Sequence, residues 1–391
     1  MARKIPFFIQ IILIPLLVAA ILLVELKHPF PKFRLATLVL VFALFVDLAI
    51  LARGKTRNLM VVFASLVFGL SIAEGAAGAI TPRSVVKIDR GWSVRQPIMG
   101  WGPEKAGAYH AQMIDPSDNS IIYQTDYTFD SDLLRHTVSA DSGPAIVFFG
   151  DSFTFGDGVK NEETLPQVFA DLTDRKVRVL NLALTGYSPQ QFLREMETSR
   201  FDKVIGPDPK LFVFLTAAWH AERTSCKAYW TAHAPLYALE DGRVVSKGDC
   251  NEGASLWWRE WLGNSALYSY LIEPWRHKVK HNDVELYVSV LEAAVKMAKE
   301  KYGAPTIIPY LRQPKEYLEG TGFTDDAIMQ RLSDAGAIVI DASLSKEAAG
   351  GAQISIRIDG HPTPLANRLR AAQIKSAIDE KLPGVLLADA K

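Results

Sequence analysis

Cysteine is scarce in this sequence, and net charge is absent. The 391 residues include two cysteines, and 43 basic side chains balance 43 acidic ones. Proteins that bind nucleic acids usually present a basic face, so the composition does not support a nucleic-acid partner. A metal site built on cysteine would need more ligands than the two present. The sequence therefore predicts neither a nucleic-acid partner nor a bound metal.

The two cysteines, Cys226 and Cys250, lie close together within one soluble stretch. In an oxidising compartment such a pair is expected to form a disulfide. Two independent buried thiols are the alternative. We predict the disulfide, which favours a location outside the reducing cytoplasm.

Hydrophobic residues make up 49% of the chain and are concentrated in its first 80 positions. Three nearly uncharged stretches, 5–24, 35–52 and 59–80, each approach the roughly 20 residues that cross a bilayer as a helix. The acids Asp47 and Glu74 lie near the C-terminal ends of the second and third stretches, and Glu74 makes the third the weakest candidate. A cleaved signal peptide is the alternative for the first stretch, but its apolar core is too long. We predict three transmembrane helices.

The orientation of these helices follows from the distribution of basic residues in the loops. The N-terminus and the second loop together hold more basic residues than the first loop and favour an N-terminus inside, although Arg83 and Lys87 oppose this bias. The residues counted are Arg3, Lys4, Arg53, Lys55 and Arg57 against Lys27, Lys32 and Arg34. With three spans, everything after about residue 80 is then expected outside a cytoplasmic (inner) membrane, on the periplasmic side.

Beyond the spans, the chain is predicted to contain an adapter and an α/β domain. Residues 81–140 are rich in Gly, Pro, Asp and Ser with short strand-like runs and form the adapter. From 141 to 391, apolar strands alternate with amphipathic helices, which predicts a three-layer, flavodoxin-like parallel sheet with helices on both faces. The predicted strands are 145–149, 177–184, 211–216, 305–310 and 337–340, and the predicted helices are 163–174, 189–201, 284–302, 325–335 and 364–380.

Three sequence blocks follow or precede these elements in a recognisable order. They are 148–156 (Phe-Phe-Gly-Asp-Ser-Phe-Thr-Phe-Gly), 181–186 (Asn-Leu-Ala-Leu-Thr-Gly) and 359–362 (Asp-Gly-His-Pro). Together they resemble the first, second and fifth blocks of the SGNH (GDSL-like) hydrolases, over about residues 141–385. The resemblance implies the SGNH hydrolase fold for this domain.

The same resemblance implies a catalytic role for three side chains. Ser152 is the expected nucleophile, His361 the base that takes its proton, and Asp359 the acid that holds the imidazole. A serine hydroxyl is a poor nucleophile until a base accepts its proton, so the chemistry requires such a pair. The spacing Asp-x-His differs from the family's usual Asp-x-x-His, and a helix cap ahead of Pro362 is the alternative role for Asp359.

An oxyanion hole must hold the charge that develops on the ester oxygen. The resemblance implies the backbone N–H groups of Ser152 and Gly186 as two donors. The family's third donor, an asparagine after the third strand, is missing from 217–223 (Ala-Ala-Trp-His-Ala-Glu-Arg). We expect His220 to replace it, with Arg223 as the second choice. Asp151, Trp219 and Arg223 are expected to contact substrate.

A long insertion, about 219–282, separates the third and fourth strands and holds most of the tryptophans. Trp257, Trp258, Trp261 and Leu262 fall on one helical face. Packing against the domain, an aromatic wall for a sugar ring and a surface in the membrane interface are three interpretations of that face. His277 and His281 have the i,i+4 spacing of metal ligands, but a solvated basic face is the favoured interpretation.

These features predict a membrane-tethered, extracytoplasmic serine esterase that needs no cofactor. The expected substrate is an O-acyl ester, with acetyl favoured, on an envelope glycan or glycolipid. One alternative is an O-acyltransferase that uses the same acyl-enzyme together with a membrane acyltransferase partner. The other is a catalytically silent envelope scaffold, for which the missing asparagine is the best support.

Overall fold

Three long apolar helices occupy the start of the chain. The structure, a computed structural model, describes residues 7–27, 33–80 and 85–386. The helices are α1 (Phe7–Lys27), α2 (Phe33–Leu51) and α3 (Gly54–Ile80). All three are long and apolar enough to cross a membrane. The predicted segments are therefore helices of spanning length, while the predicted orientation signals Arg3, Lys4, Lys32 and Arg83 lie outside the described residues.

The predicted adapter consists of short antiparallel strands. They are β1 (Val85–Ile88), β2 (Val94–Gln96), β3 (Gly100–Gly102), β4 (Gly107–Ile114) and β5 (Ile121–Phe129). β1, β4 and β5 form one sheet and β2 pairs with β3. Arg135, just after β5, makes isolated bridges to Phe129 and to Asn181, and so joins this region to the following sheet.

The central part of the chain alternates between strands and helices. The elements are β6 (Ala145–Phe149), α4 (Ser152–Phe155), α5 (Leu165–Leu172), β7 (Arg178–Asn181), α6 (Pro189–Thr198), α7 (Asp202–Ile205), β8 (Leu211–Phe214), β9 (Thr216–Ala217) and α8 (His220–Thr224). A hairpin, β10 (Pro235–Glu240) and β11 (Arg243–Asp249), follows. Three short helices come next, α9 (Gly253–Gly263), α10 (Ala266–Leu271) and α11 (Glu273–His277).

The last part of the chain completes the α/β pattern. Its elements are α12 (His281–Tyr302), β12 (Thr306–Leu311), α13 (Lys315–Leu318), α14 (Asp325–Asp334), β13 (Ile338–Asp341), α15 (Ser345–Ala349) and α16 (Pro364–Lys381). Every strand and helix predicted for the α/β domain is present, with ends displaced by a few residues at most.

The main sheet is parallel and has the order β13-β12-β8-β6-β7, with β9 paired to β12. Numbered along the chain and leaving out β9, the five strands of this sheet have the order 2-1-3-4-5 of flavodoxin-like sheets. One buried cluster covers each face, with Phe149, Phe214 and Phe192 in the first and Phe148, Phe169 and Ile374 in the second. The predicted parallel sheet with helices on both faces is confirmed.

The chain divides into two compact units. One contains Met1–Pro82 and Ala254–Arg276, and the other contains Arg83–Gly253 and His277–Lys391. The predicted adapter thus shares a unit with the main sheet. Residues 254–276, from inside the predicted insertion, belong with the three long helices.

Within the first unit, polar side chains of the long helices hold the short ones. Arg34 donates from Nε to the carbonyl oxygen of Trp261 at 2.9 Å, and its guanidinium lies 4.6 Å from that indole ring. The buried carboxylate of Glu74 accepts hydrogen bonds from Ser265 Oγ and from the backbone N–H of Ala266, both at 2.7 Å. The acid that weakened the third span as a prediction therefore accepts hydrogen bonds at the N-terminus of α10, beside its N-cap residue Ser265.

Candidate active site

Ser152 lies where β6 ends and a single helical turn begins. The buried strand Ala145–Phe149 stops at Gly150, and Asp151 caps α4 because its Oδ1 accepts the N–H of Phe153 at 3.0 Å. β6 lies between β7 and β8, the point at which the strand order reverses. In sheets of this kind, ligands bind beyond the carboxyl ends of the strands at that point. Ser152 has the position that a reactive serine would need.

His361 and Asp359 form a hydrogen-bonded pair just before α16. His361 Nδ1 lies 2.6 Å from Asp359 Oδ2, so the Nδ1–H donates to the carboxylate and leaves Nε2 as the basic nitrogen. Burial lowers the pKa of His361, but the hydrogen bond to Asp359 and the charges of Asp157 and Asp359 outweigh this effect and raise it. The short Asp-x-His spacing thus still brings the acid to the imidazole.

A second carboxylate, Asp157, faces the other side of the imidazole. Its Oδ2 lies 3.7 Å from His361 Nε2, and both of its oxygens accept from Thr185 Oγ1 at 2.8 and 2.9 Å. Burial raises the pKa of Asp157 to about 6, although nearby His361 and Arg135 act in the opposite direction. Asp157 comes five residues after Ser152, directly after the serine block, and no role was predicted for it from the sequence.

Ser152 and His361 line one cavity of about 590 Å³. Its walls are rich in aromatic and cationic side chains. These side chains come from residues 92–101, from residues 223–233 and from His361. Part of the wall belongs to the β2–β3 region, which had been predicted as an adapter. The other lining residues include Trp92, Arg95, Trp101, Thr185, Gly186, Arg223, Tyr229, Trp230 and His233.

Gly186 lies in this wall in a left-handed conformation, with φ +83°. A Cβ at this position would lie 3.1 Å from Trp230 Cδ1 and 3.2 Å from Trp101 Cζ2. Trp101 also donates from Nε1 to the carbonyl oxygen of Thr185 at 2.9 Å. The two tryptophans therefore leave little room for a side chain at this position, and glycine adopts the positive φ without strain.

Asp151 has no exposed surface and collects several donors. Its Oδ2 accepts from Trp219 Nε1 at 3.1 Å, His220 Nε2 at 3.1 Å and Arg223 Nη1 at 2.8 Å. Burial raises the pKa of this carboxyl, but the hydrogen bond from His220 and the charge of Arg223 lower it well below its usual range. Asp151 is thus an ionised group inside the protein, and the expected contact with substrate does not fit its position.

His220 is also fully buried, and both of its ring nitrogens are engaged. Nδ1 lies 2.7 Å from Thr216 Oγ1 while Nε2 contacts Asp151. Its expected role as third oxyanion donor therefore does not fit the structure, because no ring N–H remains to point at the cavity. Trp219, expected to contact substrate, instead bonds Asp151 and packs on Phe153 with ring centroids 5.1 Å apart.

Arg223, the second choice for the donor, does line the cavity. One nitrogen, Nη1, makes the hydrogen bonds to Asp151 and, at 3.2 Å, to the carbonyl oxygen of Tyr187. Nε has no hydrogen-bond partner among the described residues. The guanidinium is therefore held by a buried carboxylate, at the wall of the cavity that Ser152 and Gly186 also line.

Cys226 and Cys250 form the predicted disulfide, with Cα atoms 5.6 Å apart. The loop that it closes contains Tyr229, Trp230 and His233, which line the cavity. The bridge therefore fixes one wall of the site. His277 and His281 do not come together on a metal, since their Nδ1 atoms contact Glu222 and the Thr321 carbonyl oxygen respectively.

Ser152, His361 and Gly186 could be predicted as site residues from the sequence, because each lies in a short block next to the end of a strand or the start of a helix. The aromatic walls were missed, since Trp92 and Trp101 come from a region with no recognisable block and Trp230 from the middle of an insertion. Their one sequence signal is the presence of large aromatic residues in segments that are otherwise rich in Gly, Pro and Ser. Such a signal does not say which residues meet.

No protein-family model matches the chain, and no curated protein matches it. Among solved structures, it is similar to the psychrotrophic esterase EstA from a Pseudoalteromonas species, at 15% identity over 61% of this chain and 99% of that one, with a TM-score of 0.38. It is also similar to a protein from Slackia heliotrinireducens assigned to the SGNH hydrolases, at 16% identity over 61% and 100%, with a TM-score of 0.31. The carbohydrate acetylesterase Est24 from Sinorhizobium meliloti shows 9% identity over 60% and 98%, with a TM-score of 0.34.

Proposed function

We propose that this protein is a membrane-tethered serine esterase that removes O-acyl groups, with acetyl favoured, from an envelope glycan or glycolipid. The observation that carries the proposal is the shared cavity of Ser152 and His361, with His361 held by Asp359 at 2.6 Å. A serine, a histidine and a carboxylate in these roles are recognised by geometry rather than by their order in the chain.

The reaction begins when Ser152 Oγ attacks the ester carbonyl carbon. His361 Nε2 takes the hydroxyl proton, while Asp359 stabilises the resulting imidazolium through Nδ1–H. When the tetrahedral intermediate collapses, the C–O bond to the sugar breaks and the sugar oxygen receives that proton. Water then attacks the acyl carbon and gives a proton to His361. The C–O bond to Ser152 breaks, Ser152 Oγ takes that proton from His361, and the carboxylic acid leaves.

The developing oxyanion requires donors that are fixed before the reaction starts. The backbone N–H groups of Ser152 and Gly186 are two of them in this proposal. Arg223 is the third, because it lines the cavity and its Nη1 is held by Asp151. This assignment replaces His220, and it places a guanidinium paired with the Asp151 carboxylate where an asparagine would give an amide donor.

The substrate class follows from the composition of the walls. Trp92, Trp101 and Trp230 offer flat aromatic faces against which a sugar ring can pack. Arg95 and Arg223, each paired with one carboxylate, add guanidinium donors that can bind an anionic group of a glycan. These side chains support an acylated carbohydrate as substrate over a simple aliphatic ester.

An extracytoplasmic, periplasmic location is supported by the disulfide and by the basic residues of the N-terminus and second loop. The Cys226–Cys250 bridge is of the kind that persists in oxidising compartments. The three long helices tether the chain to a cytoplasmic membrane in this proposal. The substrate would then be met on the outer side of that membrane.

The test uses the full chain in lipid nanodiscs. A fluorophosphonate probe should label Ser152, and Ser152→Ala should remove the label. The same preparation should release acetate from acetylated polysaccharide faster than it cleaves nitrophenyl esters of longer acids. Absence of label would exclude the esterase, and net transfer of acetyl to an added sugar acceptor in excess of hydrolysis would identify an acyltransferase instead.

A further inference from the structure

The first unit presents a group of exposed aromatic and aliphatic side chains on its short helices. We define this interfacial patch as Trp257, Trp258, Tyr270, Leu271, Ile272 and Trp275. Five of these side chains are about half exposed, and Trp275 is 81% exposed. Soluble surfaces rarely leave so many large apolar side chains together, so the patch calls for a covering partner.

The helices that carry the patch are fixed to one end of the three long helices. Glu25, near the end of α1, accepts from Arg34 Nη1 at 2.6 Å and from Thr37 Oγ1 at 2.6 Å, both of which lie near the start of α2. Arg34 in turn holds Trp261, and Glu74 near the end of α3 caps α10. All of these anchors lie at the same end of the group of long helices. At that end the C-termini of α1 and α3 lie beside the N-terminus of α2.

The length of α3 places that end at the membrane boundary. Its 27 residues extend over about 40 Å, whereas a hydrocarbon core of about 30 Å needs only about 20 residues. With Lys55 and Arg57 held at one surface, 20 residues reach Glu74. The Glu25, Arg34 and Glu74 side chains are then at the depth where a bilayer gives way to its headgroups.

Tryptophan and tyrosine are enriched at this depth because their rings are apolar and their N–H or O–H groups are polar. The patch has both, together with Leu271 and Ile272. The aromatic rings also form a preassembled cluster, since Trp257 and Trp258 lie 4.7 Å apart by ring centroid and Trp258 lies 5.9 Å from Trp261. Arg34 fixes that cluster from the helix side.

We infer that residues 254–276 form an interfacial element whose patch is covered by the lipids of the membrane that holds α1–α3. The occupant is the headgroup and upper acyl region of the bilayer, not a glycan or a second protein. This inference is independent of the proposed esterase activity. Of the three interpretations of the tryptophan face considered from sequence, it selects the membrane interface.

The test exploits the distribution of tryptophan, since residues 1–80 contain none. The full chain is reconstituted in phosphatidylcholine whose acyl chains carry bromine either near the headgroup or near the chain end. Bromine near the headgroup should quench tryptophan emission more strongly. The triple variant Trp257→Phe, Trp258→Phe, Trp275→Phe should lose at least about half of the lipid-quenched emission, because interfacial rings are those within reach of the bromines.

Trp219→Phe is the matched control, because Trp219 bonds the buried Asp151 and packs on Phe153, so its loss should leave the lipid-quenched emission unchanged. Each single variant is measured as well, so that poor folding of the triple variant does not decide the result. Quenching of the patch tryptophans by aqueous iodide, with no response to lipid bromine, would overturn the inference and indicate a glycan or protein partner instead.

Discussion

His361 lies between two carboxylates. Its Nδ1 donates to Asp359 at 2.6 Å, and its Nε2 lies 3.7 Å from Oδ2 of Asp157. Both charges favour the protonated imidazole, and they raise the pKa of His361 against the effect of burial. In the proposed mechanism the base must start neutral, so this arrangement strengthens the base while moving its working range towards higher pH.

The first prediction concerns the pH dependence of kcat/KM. Activity should rise with pH as His361 loses its proton, with a midpoint above the ordinary histidine pKa of about 6.5. Asp157→Asn removes a negative charge that stabilises the imidazolium, so the midpoint should move to lower pH. Asp174→Asn, whose side chain is exposed, is the control. An unchanged or higher midpoint in Asp157→Asn would show that Asp157 does not act on His361.

The second prediction distinguishes Arg223 from His220. Arg223→Ala should lower kcat by about 10²-fold to 10³-fold, the usual cost of one oxyanion donor. His220→Gln should lower the melting temperature but change kcat by less than about tenfold, because His220 supports buried Asp151 and does not reach the cavity. Both variants disturb Asp151, so equal losses of kcat would mean that Arg223 acts only through that carboxylate.

The third prediction separates backbone strain from crowding at Gly186. Gly186→Ala and Gly206→Ala should each lower the free energy of unfolding by about 1–2 kcal/mol, because both glycines have a left-handed φ. Only at Gly186 would the new methyl meet neighbours, Trp230 and Trp101. Fluorophosphonate labelling of Ser152 should therefore slow in Gly186→Ala and stay normal in Gly206→Ala. Equal labelling rates would place Gly186 outside the reacting centre.

The fourth prediction concerns the disulfide. Cys226→Ser with Cys250→Ser should lower the free energy of unfolding by about 3 kcal/mol, as expected for a loop of this length. KM should rise more than kcat falls, because the freed loop carries Trp230 and His233 but no reacting atom. Treatment of the natural protein with a reductant should reproduce both effects. A fall in kcat alone would contradict a wall function for this loop.

The fifth prediction uses Glu195 on α6, whose carboxylate is fully buried and has no hydrogen-bond partner within the described part of the chain. Burial raises its pKa to about 8, from the ordinary glutamate value of about 4.5. A raised carboxyl pKa means that the unfolded chain ionises first, so stability falls as pH rises between these values, by about 1.4 kcal/mol per pH unit.

Glu195→Gln should therefore stabilise the protein at pH 8 relative to the natural chain and have little effect at pH 4.5. Thermal unfolding at the two pH values measures the difference. Glu300→Gln, at an exposed position, is the matched control and should behave like the natural chain at both. A stabilisation that is the same at both pH values would show that ionisation of Glu195 is not its cause.

The parallel sheet was predictable because each strand is a continuous apolar run between turn residues, as in 145–149 and 211–216. Ser152, His361 and Asp359 could be assigned because their blocks are local. The role of His220 could not be predicted. Its position after β9 suggests an oxyanion donor, and only the fold shows that its Nε2 contacts the buried Asp151. Asp157 was missed for the same reason, because its neighbours Thr185 and His361 are distant in sequence.

The two walls of the cavity are independent of the strands that hold the nucleophile and the base. Trp92 and Trp101 come from the β2–β3 region, and Trp230 from the loop between the cysteines. In the proposed esterase, an exchange of either segment between related chains would change the shape of the substrate cavity and leave Ser152 in place. Substrate preference could thus change by replacement of one wall segment while the proposed catalytic residues are kept.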